Sequence, residues 1–193
     1  MQLQDREYYS PTEYLELEVL SEERHEYIDG LIIPMTGGLP NHNRICLNLA
    51  SNLSFALKRK PYDVFITDQR LSIPRKRIYT YPDIMVIEGE IQLVSGRKDT
   101  ITNPLLIAEV LSKSTSSYDR VEKFAAYRTI PSFQEYLLID QYTVHVERYF
   151  KSEANKWIFS EIDDLEATIQ LESLAFGIPL ADLYDKVDFE IEG

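Results

Sequence analysis

Two isolated carboxylates in apolar surroundings are the residues best suited to chemistry in this sequence. Asp83 opens the apolar run 84–87, and Glu109 lies inside the apolar run 105–111. An acid buried in a strand costs free energy unless a partner compensates its charge. A divalent cation can compensate two carboxylates at once, and oxygen ligands suit Mg²⁺ or Mn²⁺. The pair therefore predicts a metal site that could support hydrolysis of a phosphodiester.

The two acids can share a metal only if their strands are neighbours. Asp83 follows Pro82, so we expect it to begin a strand over residues 83–88. Glu109 lies near the end of the run 105–111, which is nearly all apolar and is typical of a central strand covered on both faces. If the two strands lie side by side, both carboxylates face one cleft.

The rest of the pattern predicts an α/β fold, with a central mixed β-sheet flanked by α-helices. The length of 193 residues favours one domain, 1–193. Helical spacing and caps predict helices over 11–20, 41–58, 118–128 and 178–183. Strand patterns cover 27–35, with a hairpin turn at Asp29–Gly30, then 62–67, 70–74, 135–140, 143–150 and 157–162, with turns at 140–141 and 154–155.

The charge balance argues against general affinity for nucleic acids. The sequence has 20 basic and 32 acidic residues and a net charge of −12, whereas such affinity rests on neutralising phosphates with Lys and Arg. Basic residues nevertheless cluster at 58–60, 75–77 and 97–98. A locally basic site on an acidic body is therefore compatible with the sequence.

Several features favour a cytoplasmic protein. No apolar run reaches the ~20 residues that span a bilayer, and the first residues lack the basic-then-apolar order of a signal peptide. The single cysteine, Cys46, cannot form an internal disulfide, and its apolar neighbours predict a buried core thiol. These properties suit a reducing compartment.

An ordered series of segments, 26–30, His42, 81–86, 104–112 and 135–140, resembles the Uma2 family, long described as a domain of unknown function, DUF820. The resemblance extends from about Thr12 to Leu183. It implies the restriction-endonuclease-like fold of the PD-(D/E)xK nucleases and a metal-dependent nuclease site. Asp83 would match the aspartate of the Pro-Asp motif and Glu109 the following acid. Glu26, from the first helical region, would match the extra helix-borne acid.

The sequence departs from the nuclease motif at the lysine expected two residues after the glutamate, where Leu111 stands. Residues two apart on a strand share a face, so a lysine there would have pointed into the cleft. The resemblance implies that Lys123, from the next helix, replaces it, with Lys113 as a second candidate. At ~100° per residue, Lys123 lies beside Tyr127 and away from an inward stripe over residues 121–125.

Each candidate residue also has a structural interpretation. Asp83 could open or cap a strand, and Glu109 could form a buried ion pair with Lys123 or an arginine. Glu26 and Lys123 could lie on solvated faces. His42, near a helix start, could cap that helix or lie close to phosphate or metal as an accessory group.

Three functions follow from these alternatives. The first is a Mg²⁺- or Mn²⁺-dependent endonuclease acting on DNA, with Asp83, Glu109 and Glu26 at the metal and Lys123 positioning the attacking water. The second is a non-catalytic module that binds nucleic acid or protein, which a direct carboxylate–lysine ion pair without room for metal would favour. The third is homodimerisation through an exposed sheet edge of the tyrosine-rich C-terminal strands.

Overall fold

Helices and strands alternate along the chain in the computed structural model, which describes residues 8–113, 115–153 and 156–190. The turn expected at residues 154–155 lies outside the described residues, as do residues 1–7. In chain order the elements are α1 (Pro11–Leu20), β1 (His25–Ile28), β2 (Leu31–Pro34), α2 (Pro40–Ala56), β3 (Tyr62–Ile66), β4 (Arg70–Ile73), a 3₁₀ turn (Pro74–Lys76), β5 (Ile78–Thr80), β6 (Ile84–Glu88), β7 (Thr100–Ile101), β8 (Leu106–Leu111), α3 (Ser116–Tyr118), a π-helical turn (Asp119–Lys123), α4 (Phe124–Tyr127), β9 (Glu135–Asp140), β10 (Val146–Glu153), β11 (Lys156–Ile162), β12 (Thr168–Leu171), β13 (Phe176–Pro179) and α5 (Leu180–Leu183).

The largest sheet has six strands in the order β11-β10-β9-β8-β6-β3. Its strands pair antiparallel except β8 and β9, which run parallel. Every residue of β8 is buried, because α2 and α5 cover one face of the sheet while α4 and the strands β4 and β7 cover the other. The prediction that residues 105–111 form a central, doubly covered strand is confirmed.

The register between β6 and β8 brings the two acids together. Ile84 lies opposite Ala108 in this antiparallel pair, so the residue before Ile84 lies opposite the residue after Ala108. Asp83 and Glu109 are therefore cross-strand neighbours, which meets the condition for a shared cleft. Leu106, Ala108 and Val110 enter the α2 side of the core, while Ile107 and Leu111 enter the opposite side.

A second sheet, in the order β2-β1-β5-β4-β7, carries Glu26. The hairpin between β1 and β2 turns at Asp29 and Gly30, whose φ angles of 42° and 104° confirm the predicted turn. The placement of Glu26 in a helical region is wrong: it lies on β1, paired with Ile33 of β2. The reason is local, since α1 ends at Leu20 and the chain becomes extended at Ser21.

The predicted helix over 118–128 is interrupted by a π-helical turn, Asp119–Lys123, between α3 and α4. The inward stripe predicted over residues 121–125 is wrong at Val121, which is 62% exposed, whereas Phe124 packs against the core as predicted and Ala126 and Tyr127 are buried. A π-helical turn closes i→i+5 hydrogen bonds, so a spacing of ~100° per residue fails across it. The wider π-helical turn directs the side chain of Lys123 toward Glu109 on β8 of the six-stranded sheet.

The two remaining helical predictions have different outcomes. The helix predicted over 41–58 is confirmed as α2 (Pro40–Ala56), but the last helix is shorter than predicted because residues 178–179 belong to β13. No helix in the described ranges has the length and apolar character needed to cross a membrane.

Candidate active site

One largely buried lysine lies among three carboxylates, which come from both sheets and from the π-helical turn. The Nζ atom of Lys123 is 3.1 Å from Oε1 of Glu109, 3.1 Å from Oδ1 of Asp119 and 3.8 Å from Oε1 of Glu26. Only 12% of the Lys123 side chain is exposed, so the solvated-face interpretation of this lysine is wrong. The π-helical turn positions both Lys123 and Asp119, while β8 and β1 supply the other two acids.

Glu109 is the most constrained of these acids. Its Oε1 accepts hydrogen bonds from the hydroxyl of Tyr127 at 2.6 Å and from the ammonium of Lys123 at 3.1 Å. Its Oε2 lies 3.4 Å from the backbone amide of Asp83. Burial raises the pKa of Glu109; Lys123 opposes that rise without cancelling it, and the carboxylates of Asp83 and Asp119 add to it.

Asp83 is fixed by groups from two other elements. Its Oδ2 accepts a hydrogen bond from the backbone amide of Val110 at 2.8 Å and lies 3.2 Å from Nε2 of His42, in the first turn of α2. The side chains of Asp83 and His42 are each 16% exposed. Asp83 thus satisfies one backbone amide of the neighbouring strand β8 and also presents its carboxylate to the cleft.

Glu26 reaches the cluster from the second sheet. Its Oε1 accepts a hydrogen bond from the hydroxyl of Thr80, on the adjacent strand β5. Its side chain is 15% exposed, so the solvated-face interpretation of Glu26 is wrong as well. A strand rather than a helix therefore delivers this acid to Lys123.

The charge state of Lys123 decides what it can do. Burial disfavours its ammonium form, but Glu109, Glu26 and Asp119 outweigh burial and raise the pKa of Lys123 well above its ordinary value. It stays cationic near neutral pH. Lys123 can therefore donate hydrogen bonds and stabilise negative charge, but it cannot accept a proton as a general base.

Negative charge exceeds positive charge around this lysine. Three carboxylates, those of Glu26, Glu109 and Asp119, meet one ammonium. The carboxylate of Asp83 adds a fourth negative charge beside Glu109. Oδ1 of Asp119 touches Lys123 only as an ion pair, and no residue in the described ranges donates a hydrogen bond to it. A divalent cation would supply the missing positive charge, and carboxylate oxygens are its preferred ligands. The donor set therefore fits Mg²⁺ or Mn²⁺.

Asp119 is the site residue that sequence reasoning missed. It lies four residues before Lys123, a spacing at which acid and base meet on one helical face. That spacing is the signal that could have identified it. Its side chain is only 3% exposed, so it belongs to the cluster rather than to a solvated helix surface.

The two other positions considered for the motif lysine lie outside the cluster. Leu111 shares the face of Glu109, as expected, and is 1% exposed within the core. Lys113 is exposed, and its Nζ lies 5.0 Å from the centre of the Tyr142 ring. Of the three positions, Lys123 is the one that the structure brings to Glu109.

Restoring the motif lysine by Leu111→Lys is expected to destabilise the protein by about 3 kcal/mol or more, because it buries an ammonium without a dedicated partner. Chemical denaturation measures this change. Val121→Lys introduces the same side chain at a site that is 62% exposed and should cost no more than about 0.5 kcal/mol. Equal stability of the two variants would contradict the burial assigned to Leu111.

Comparison with known proteins places this geometry in a family. Residues 11–181 match the Uma2 family model, described as "Putative restriction endonuclease". Two uncharacterized proteins from Synechocystis sp. are similar: one is 43% identical over 158 residues, 82% of this chain and 89% of that protein, and the other is 36% identical over 174 residues, 89% of this chain and 88% of that protein.

The fold is similar to the crystal structure of "a putative nuclease belonging to DUF820" from Anabaena variabilis, with a TM-score of 0.72. The match covers 91% of this chain and 97% of that one, at 22% identity. The predictions of the Uma2 family and of a mixed α/β, nuclease-like fold are confirmed.

Proposed function

This chain belongs to the Uma2 family, and we propose that it is a Mg²⁺-dependent endonuclease that hydrolyses phosphodiester bonds in DNA. The observation that carries the proposal is a group of four carboxylates beside the paired strands β6 and β8, three of them at Lys123 and that of Asp83 next to Glu109. Such an excess of buried acids is costly in a purely structural role and useful at a cation site.

Asp83 and Glu109 would hold the metal, with Glu26 assisting directly or through water. When bound, the ion would lower the pKa of a water molecule and stabilise negative charge on the phosphate. The hydroxyl of Tyr127 and the ammonium of Lys123 hold Oε1 of Glu109, which leaves Oε2 directed toward Asp83. The amide of Val110 orients Asp83 in the same way.

Lys123 has a separate part in this proposal. As a buried cation it would orient the attacking water or offset charge on the phosphate without changing its own protonation. His42, 3.2 Å from Asp83, would act as an accessory group that positions this carboxylate. The low exposure of these side chains limits competing water, which strengthens each electrostatic contact.

A non-catalytic binding module is the second candidate, and two observations favour it. Lys123 and Glu109 form a direct ion pair at 3.1 Å, as a structural pair would, and the net charge of −12 opposes nucleic-acid binding. A structural pair, however, needs one acid, and four are present. We therefore favour the enzyme.

A cleavage panel tests the proposal. Purified protein is incubated with duplex, single-stranded and branched DNA and with RNA, each with Mg²⁺, with Mn²⁺ or with EDTA. We expect DNA cleavage that requires metal and falls by about 100-fold or more in Asp83→Asn, which keeps the shape of the side chain but loses its charge. Equal cleavage by parent and variant would refute the site, and metal-independent binding without cleavage would support the module.

A further inference from the structure

A second group of metal-binding side chains shares Asp83 with the acidic cluster. His42 and Cys46 lie four residues apart on α2, so they occupy one face of the helix. Nδ1 of His42 is 3.6 Å from Sγ of Cys46, and Nε2 of the same ring is 3.2 Å from Oδ2 of Asp83. One ligand atom from each of the three residues lies within 4.8 Å of the others.

We infer that His42, Cys46 and Asp83 form a Zn²⁺ site that competes with the Mg²⁺ site for Asp83. Thiolate, imidazole and carboxylate are the usual ligands of Zn²⁺, whereas Mg²⁺ does not select sulfur. Three protein ligands leave a fourth tetrahedral position open. The chemistry of the ligand atoms thus gives the two sites that share Asp83 different metal preferences.

The distances suit zinc after a small adjustment. Bonds of ~2.0 Å to nitrogen and ~2.3 Å to sulfur place two tetrahedral ligand atoms about 3.5 Å apart. The separation of 3.6 Å between His42 and Cys46 already matches this value. One imidazole nitrogen binds the ion, and if it is Nδ1, beside Cys46, the carboxylate of Asp83 must leave its contact with Nε2. The ligand atoms lie within 4.8 Å of one another, so the carboxylate must come closer by up to about 1.3 Å to reach the tetrahedral spacing.

Two other roles for Cys46 account for less of its environment. A thiol nucleophile needs the thiolate, but burial raises the pKa of Cys46, and the carboxylates of Asp83 and Glu109 raise it further. The prediction of a buried core thiol is confirmed, because Cys46 belongs to the apolar cluster on the α2 side, but its Sγ also faces the imidazole of His42. On binding zinc, the S–H bond breaks, a Zn–S bond forms and the proton passes to solvent.

A regulatory consequence follows, and this part rests on the proposed function. Zn²⁺ bound through Asp83 removes a ligand from the Mg²⁺ site, so a low concentration of Zn²⁺ should inhibit Mg²⁺-dependent cleavage. The excess of carboxylates nearby attracts any divalent cation, and the thiol selects the softer one. Zn²⁺ binding itself does not depend on the chain being a nuclease.

Spectroscopy with Co²⁺, a coloured substitute for Zn²⁺, tests binding on the full chain. We expect one equivalent of Co²⁺ to give a thiolate-to-cobalt absorption band that Zn²⁺ abolishes. The band should vanish in Cys46→Ser, with Zn²⁺ affinity weakened by about tenfold or more, and should persist in Glu109→Gln. Absence of the band in the parent, or unchanged Zn²⁺ affinity in Cys46→Ser, would overturn the site.

The inhibition is measured separately, as the Zn²⁺ concentration that halves each protein's own Mg²⁺-dependent rate. That concentration should rise by about tenfold or more in Cys46→Ser. A cobalt band without any cleavage would uphold the zinc site and reject the nuclease. Equal inhibition of parent and Cys46→Ser would reject competition through Asp83.

Discussion

Replacing Glu109 by glutamine is expected to abolish metal-dependent cleavage and leave the fold intact. The amide keeps the size of the side chain and still accepts hydrogen bonds from Tyr127 and Lys123, so packing is conserved. It removes the charge that would hold the metal, and we expect the cleavage rate to fall by about 1,000-fold or more. Circular dichroism and cleavage assays on one preparation measure both effects.

The pH dependence of stability gives this variant a second signature. Burial raises the pKa of Glu109 above its ordinary value of 4.5. When the pKa of a carboxyl is higher in the folded state, the free energy of unfolding of the protein falls as the pH rises above the ordinary pKa. The folded state must then give up a proton that it holds more tightly than the unfolded state does. Because the pKa of Glu109 is raised to about 8, the stability of Glu109→Gln relative to the parent should increase from about pH 5 to about pH 8.

Glu135→Gln is the matched control, because Glu135 is also a fully buried glutamate on the neighbouring strand β9. Glu135 accepts hydrogen bonds from Ser173 and pairs with Arg148, away from Lys123. This variant should lose stability and retain cleavage. Similar loss of cleavage in both variants would mean that any buried charge change inactivates the protein.

Replacing Lys123 by methionine should produce the largest loss of stability at the site. The variant leaves Glu109, Asp119 and Glu26 facing one another without their ammonium, which costs about 3–5 kcal/mol. Added Mg²⁺ should recover part of this loss, because the cation takes the place of the missing charge. Thermal denaturation with and without Mg²⁺ measures both changes, and cleavage should fall by about 100-fold or more.

Lys113→Met is the control for the lysine prediction. Its side chain is exposed over the ring of Tyr142, so the substitution should lower the free energy of unfolding by no more than about 0.5 kcal/mol. Mg²⁺ should affect the stability of this variant as it affects that of the parent. If Lys123→Met is as stable as the parent and indifferent to Mg²⁺, the three acids do not share that ammonium.

The sequence predicts the parts of this site that depend on local pattern. Apolar runs around Asp83 and Glu109 locate their strands, and Asp29–Gly30 specifies the hairpin that carries β1. The cap of α1 is also local, since Ser10 and Glu13, three residues apart, form a capping box. In each case, residues close in sequence determine the local structure.

The parts that could not be predicted depend on contacts distant in sequence or on irregular backbone. Glu26 reaches Lys123 because β1 pairs with β5 in a second sheet, an arrangement that no local pattern encodes. Val121 faces outward because a π-helical turn breaks the regular helical spacing. Asp119 belongs between these cases, because its spacing from Lys123 was visible in the sequence but only burial shows its importance.

Calorimetric titration of Mn²⁺ into the parent, Glu109→Gln and Asp83→Asn tests the central claim most directly, because it asks whether the four acids hold a cation at all. We expect saturable binding to the parent at one or more sites and affinity weakened by about tenfold or more in each variant. Cys46→Ser, which keeps all four acids, should bind Mn²⁺ as the parent does. No binding to the parent, or equal affinity in all four proteins, would contradict the account.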